Sequence, residues 1–168
     1  MSKWFKLALG LLVILIVGKY LFDYQTSNAG YAPDQPIPFS HRLHAGDNKI
    51  PCLYCHYNAE RSRHATIPSM DICLGCHSVV AVDKDNIKKI TELFEAGNSV
   101  AWTRIHSLPD FVYFDHSRHL AAGFACQNCH GEVEKMTVVR QAESLNMGWC
   151  VDCHRQNNAS DNCNICHQ

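Results

Sequence analysis

Residues 114–130 read FDHSRHLAAGFACQNCH, and this stretch decides how the rest of the chain is read. It closes on Cys126-x-x-Cys129-His130, the attachment signature of a c-type haem. Two thiols three residues apart can form thioethers to a porphyrin's vinyl groups. The imidazole that follows them can reach the iron from the same side. Upstream, His116 and His119 lie three residues apart, and low-spin haem iron needs a ligand on each face. One segment therefore offers a covalent anchor, a proximal ligand and two distal candidates.

The signature recurs. The chain has 168 residues with 10 Cys and 11 His, and all ten Cys fall in C-x-x-C pairs followed directly by His. The covalent sites are Cys52/Cys55, Cys73/Cys76, Cys126/Cys129, Cys150/Cys153 and Cys163/Cys166. Their proximal ligands are His56, His77, His130, His154 and His167. The cofactor expectation is five c-type haems. Zinc is the competing reading, because C-x-x-C is a common half-site and His a zinc ligand. Zinc gives no reason for His to follow every second Cys, and five pairs do not divide evenly into four-Cys sites. A disulfide scaffold does not put every Cys at i, i+3. Charged residues make up 18% of the chain and the net charge is −1, which gives no basis for nucleic-acid binding.

Five irons need ten axial positions, and the motif imidazoles fill half of them. His41, His44, His64, His106, His116 and His119 remain, one more than bis-histidine ligation requires. The spare is His64 or His106. Met147 is an alternative ligand that would raise one haem's potential, with Met70 and Met136 behind it. The matching places of Met70 and Met147, three residues before a Cys, argue equally for packing. Iron closed on both faces passes electrons and binds no substrate, so the catalytic residues expected are none.

The signature stretch also has a copy. Phe39-x-His41-x-x-His44 precedes Cys52 as Phe114-x-His116-x-x-His119 precedes Cys126, at 13 and 12 residues from Phe to Cys. The two two-haem units are expected over about 39–80 and 111–155, with a fifth haem at 160–168, all within a haem domain of 39–168. Between the copies, Ile87, Ile90, Leu93 and Phe94 make one apolar helical face, with Asp85 or Asn86 as cap and Gly97 as stop. Residues 102–114 (WTRIHSLPDFVYF) read as aromatic, extended chain. The fold expected is mostly irregular, with short α-helices bearing the motifs and porphyrins serving as the core.

Ahead of this domain, Leu7–Gly18 is an uncharged apolar run flanked by Lys3, Lys6 and Lys19. It reads as a retained single transmembrane anchor over 1–24 rather than a signal peptide, with Trp4, Phe5, Tyr20, Leu21 and Phe22 extending it. The lysines put the N-terminus in the cytoplasm and the haem domain on the periplasmic face of the inner membrane. Residues 25–38 hold Pro33, Pro36 and Pro38 and read as a semi-rigid linker.

The pattern Phe-x-His-x-x-His before C-x-x-C-His resembles the class III multihaem cytochromes c. That resemblance implies that His41 serves the His56 haem and His116 the His130 haem, while His44 and His119 reach other haems. The runs at 37–56, 102–120 (WTRIHSLPDFVYFDHSRHL) and 144–155 (SLNMGWCVDCHR) are similar to the pentahaem cytochrome c subunits of bacterial alternative complex III. This second resemblance implies a relay inside a quinol-oxidising membrane complex. Its partners would be an iron–sulfur subunit, a polytopic quinol-binding subunit, and a monohaem cytochrome c or terminal oxidase. The competing reading is an enzyme resembling the NapC/NirT family of membrane-anchored multihaem quinol dehydrogenases.

Overall fold

The computed structural model describes residues 3–167, with side chains left aside at 23–26. Met1, Ser2 and Gln168, at the edges of the expected anchor and fifth unit, lie outside the described residues. The described chain is helical and irregular, with no strand. Eight α-helices run α1 Lys3–Thr26, α2 Cys52–Cys55, α3 Met70–His77, α4 Asp85–Glu95, α5 His116–Ala121, α6 Gln127–His130, α7 Met147–Gln156 and α8 Cys163–Cys166.

The first helix stands apart. Residues 3–22 have a mean hydropathy of 2.1, enough to cross a membrane by length and composition, and none of that stretch is buried against the body. Its apolar side chains face outward all round, Trp4 81% and Ile14 68% exposed among them. A helix apolar on every side seeks a lipid or a protein interior.

The segment behind it is not a free spacer. Gly30 N–H donates to the Gln141 carbonyl (2.7 Å) and Gln141 N–H returns a bond to Tyr31 (2.9 Å). The Gln141 side chain is 2% exposed, and its Nε2 donates to the carbonyls of Ser27, Glu143 and Ser144. Farther on, Gln35 and Thr103 exchange two bonds of 3.0 Å, and Lys89 Nζ caps the Pro36 carbonyl. The prolines keep this segment extended, as expected. Extended backbone has its polar groups free to bond sideways, and here the body accepts them.

Ile37 at the end of this segment packs with Ile87 and Ile90 of α4 and with Met70 and Leu74 of α3, Val100 and Trp102. That small cluster is the apolar core. The face expected on α4 is present in part: Ile87 and Ile90 are buried, whereas Phe94 is 48% exposed. Neither expected cap serves. Lys84 occupies the N-cap position with no side-chain bond, and Asp85 is already the first helical residue. The stop is as expected. Gly97 takes φ +67°, its N–H bonds Phe94, and the Asn98 N–H reaches back to Leu93, the paired bonds of a Schellman motif.

Beyond this cluster the polypeptide encloses little. Among the described residues only Ala59, Met136 and Gln141 are otherwise buried, and no large side chain falls below 2% exposure. Residues 102–114 run as irregular chain with a turn near 110.

Candidate haem sites

Every C-x-x-C-His motif begins on, or one residue before, a helical turn: α2, α3, α6, α7 and α8 carry them in order. One turn sets residues i and i+3 on the same side, which turns both thiols of a pair one way. All ten thiols are free of disulfide, and no described group of three or more His, Cys, Asp or Glu side chains could hold a metal ion. Tetrahedral zinc needs such a group, so the donor set favours a cofactor that brings its own equatorial ligands. Burial pushes the thiols of Cys55, Cys73, Cys126, Cys129 and Cys150 upward, with neighbouring thiols adding to the effect at four of them.

The two Phe-x-His-x-x-His stretches adopt one geometry. Phe39 meets His41 edge-on (4.9 Å, 83°) and stacks on His44 (4.3 Å, 23°). Phe114 meets His116 edge-on (4.7 Å, 88°) and stacks on His119 (4.5 Å, 30°). In both, the residue between Phe and the first His caps the turn: Ser40 Oγ accepts from Leu43 N–H, and Asp115 Oδ1 from Ser117 and Arg118 N–H. In both, the second His donates Nδ1–H to the carbonyl four residues back, His44 to Ser40 (2.8 Å) and His119 to Asp115 (2.7 Å). His44 stands in a π-turn, Arg42–Asp47, a local widening often found at functional positions.

The Nδ1 bonding extends to the motif histidines. His56 donates to Thr66, His77 to Val80, His154 to Ser160 and His167 to Phe111. His116 donates to Arg63 (2.7 Å). A carbonyl on Nδ1 fixes the tautomer and leaves Nε2 unprotonated, ready for a metal.

Ring separations then sort the imidazoles. His44 and His77 lie 6.1 Å apart, His116 and His130 6.3 Å with planes 3° from parallel, and His119 and His154 6.0 Å. These gaps are wider than ring contact and leave room for one atom bonded to both sides at about 2 Å, the usual metal–imidazole length. His106 is different, meeting the His130 ring edge-on at only 4.5 Å. Its Nε2 is covered and without a partner, as is Nδ1 of His41. Burial, then the charges of neighbouring imidazoles, lower His41 and His130 to about 4 and lower His106 as well. These rings are held neutral, the form that binds metal.

His64 is exposed and makes no ring contact among the described residues. Its neighbour Arg63 lies over the Tyr113 ring at 4.4 Å, and Tyr113 N–H donates to the Cys166 carbonyl (2.8 Å). Met70 packs on the isoleucine cluster, Met136 is buried at 5%, and Met147 at the start of α7 is 70% exposed. Reading the sequence did not find Gln141, the caps Ser40 and Asp115, or the phenylalanine stacking. The repeated Phe before each His pair carried a signal for the last.

Residues 112–168 match the family of cytochrome c7 and related cytochrome c. Over 95% of this chain and 87% of the relative, the sequence is 28% identical to the menaquinone reductase multihaem cytochrome c subunit of Nitratidesulfovibrio vulgaris strain Hildenborough. Taken with the motif helices and the paired imidazoles, these likenesses support a helical electron-transport protein of the multihaem cytochrome c kind, with a cytochrome c7-type domain over residues 112–168.

Proposed function

We propose that this chain carries five c-type haems and relays electrons within a quinone-linked respiratory complex of the membrane. The observation that carries the reading is the pairing of imidazoles. Three ring pairs stand 6.0–6.3 Å apart, each joining a motif histidine to one from a Phe-x-His-x-x-His turn. When bound, each haem supplies one-electron iron chemistry and a flat apolar surface for the chain to pack on.

The residues divide the work. The ten Cys would hold the groups covalently, and His56, His77, His130, His154 and His167 would bind the irons from the proximal side. On the distal side His44 would pair with His77, His116 with His130, His119 with His154, and His41, which feels the neighbouring His56, with His56. His64 pairs with His167, supported by the run from Arg63 through Tyr113 to Cys166. His106 is then the spare: its Nε2 is covered by protein, and its ring lies too close to His130 for an atom between them. Met147 is left with no iron to serve. With imidazoles on both faces the irons would be closed to substrates, and the chemistry supplied would be one-electron transfer.

The relative is named as a subunit of a menaquinone reductase, and the sequence resembles alternative complex III cytochrome subunits. Both support the reading of this chain as an electron-carrying subunit beside a quinone-reactive membrane subunit. An iron–sulfur subunit on one side and a monohaem cytochrome c or terminal oxidase on the other would complete the path. α1 holds the domain at the bilayer, with the haem body on the periplasmic side. The test uses the purified full-length haem-loaded chain mixed with menaquinol. No haem reduction is expected without the partner subunits. Direct reduction would give the chain its own quinol site and replace the relay with a NapC/NirT-like dehydrogenase.

A further inference from the structure

We infer that the five motifs stand in a single unbranched file whose order is not that of the chain: 73–77, 52–56, 126–130, 150–154, 163–167. The inference rests on the five-haem reading and concerns which motif neighbours which.

The first junction joins 73–77 to 52–56. His44, whose ring is 6.1 Å from His77, and His41, whose neighbours include His56, sit three residues apart on one turn. One turn of chain thus addresses two motifs side by side. The thiols agree, since Cys55 has Cys73 and Cys76 among its neighbours.

The second junction joins 52–56 to 126–130, across the two copies. The Cys52 thiol is a close neighbour of Cys126 and helps to push its thiol upward. Around them the backbone is stitched together: Arg42 N–H bonds the Met136 carbonyl (2.9 Å), and His116 and Ser117 N–H bond the carbonyls of Arg63 and Ser62 (3.3 Å each). Gly46 lies so close to the Glu134 carbonyl that a Cβ there would collide with it. His56 is also felt at His130.

The third junction repeats the logic of the first. On α5, His116 pairs with His130 and His119 with His154, and Cys129 has Cys153 and Cys150 for neighbours. At the fourth, Cys150 has Cys166 for a neighbour, and only residues 155–162 separate the two motifs in the chain. Among the described residues no hydrogen bond or ring contact joins residues 70–80 to residues 126–167. The proposed file is therefore an open one, with 73–77 and 163–167 at its ends.

Thioether sulfurs sit at the porphyrin rim, so motifs with neighbouring thiols bring rims together. The route between the two copies accordingly passes from the Cys52 side to the Cys126 side. The sites of His77 and His167 are its two ends, where electrons are exchanged with other subunits.

A structure of the full-length haem-loaded protein, with an intact mass of the same sample, tests this. Expected are rim contacts between successive members of the file and none between the His77 haem and any haem other than that of His56. A His77 haem lying against the His130, His154 or His167 haem would overturn the order, as would His56 and His130 haems that are not neighbours. A mass showing fewer than five haems would sink the five-haem relay on separate grounds, whatever the order of those present.

Discussion

At the scale of single residues, the two unplaced histidines give opposite expectations. His64→Ala should leave one iron with an open face, seen as a high-spin signal in electron paramagnetic resonance and a shifted Soret band. His106→Ala should leave all irons low-spin, because its Nε2 is covered and its ring lies edge-on against His130 with no room for an atom between them. The reverse pattern would exchange their roles, and two normal spectra would hand the iron of His167 to Met147. Asp115 supplies a pH dependence. Its hydrogen bond from Ser117, with those from the Arg118 and Ser117 N–H groups and the Arg118 charge, holds its carboxyl below the usual range. A carboxyl whose folded pKa is depressed stabilises the fold above its unfolded value, about 3.9, and loses that contribution as pH falls through the folded value. α5 holds both His116 and His119. Loss of their low-spin spectra on acidification should therefore begin at higher pH in Asp115→Asn than in the parent. An unchanged acid profile would show that the cap does not hold the ligands.

At the scale of elements, each helix is held by something sequence patterns read only in part. α4 shows this. Its 3.6-residue apolar period was legible, and so was its stop at Gly97. Its partners were not, because Ile37 lies in a proline-rich segment that composition marks as linker. Local pattern reports which side of a helix is apolar, not which distant strip of chain will cover it. Ile90→Ala removes the centre of that cluster and should cost about 2–5 kcal/mol. The loss would fall on the α3 end, where Met70 and Leu74 pack, read as a lowered Tm with early loss of the His77 ligand spectrum. Gln141 is the second case. A glutamine in a polar run carries no sequence signal, yet its amide ties Ser27, Glu143 and Ser144 together. Gln141→Ala would leave those buried carbonyls short of a donor, a cost of about 1–3 kcal/mol. Proteolysis between α1 and the body should then become faster. Equal cleavage rates would mean that the clamp is not what fastens the segment behind the anchor. By contrast, the short helical turns that carry the five C-x-x-C-His motifs were legible, because that spacing is local and needs no distant partner.

At the scale of the whole molecule, the question is what holds the body together. A soluble domain of this length ordinarily closes around one continuous apolar core. Here five apolar side chains and one glutamine are buried among the described residues, and only Ile37, Ile87 and Ile90 of them form a cluster. Tyr54, Tyr57 and Ile67 near the first two motifs and Val138 after the third are all more than 40% exposed. Backbone order over so much irregular chain carries an entropy cost that this burial does not offset. The hydrogen bonds between the copies, from Arg42 to Met136 and from His116 to Arg63, position the segments but do not supply a core. On the proposed reading porphyrin faces would supply one, and haems held between His44 and His77 or between His119 and His154 would tie separate segments together as a cross-link does. Folding and haem attachment should therefore be one event. Chain produced with its body intact but without haem attachment is expected to show little near-ultraviolet circular dichroism and to exchange most amides of residues 39–167 rapidly. The haem-loaded form should protect them. The α1 amides, held by helical bonds independent of the body, should be protected in micelles in both forms. A haem-free body with a cooperative thermal transition would mean that the polypeptide encloses a core of its own, and the assignment of the middle of this molecule to cofactors would fail.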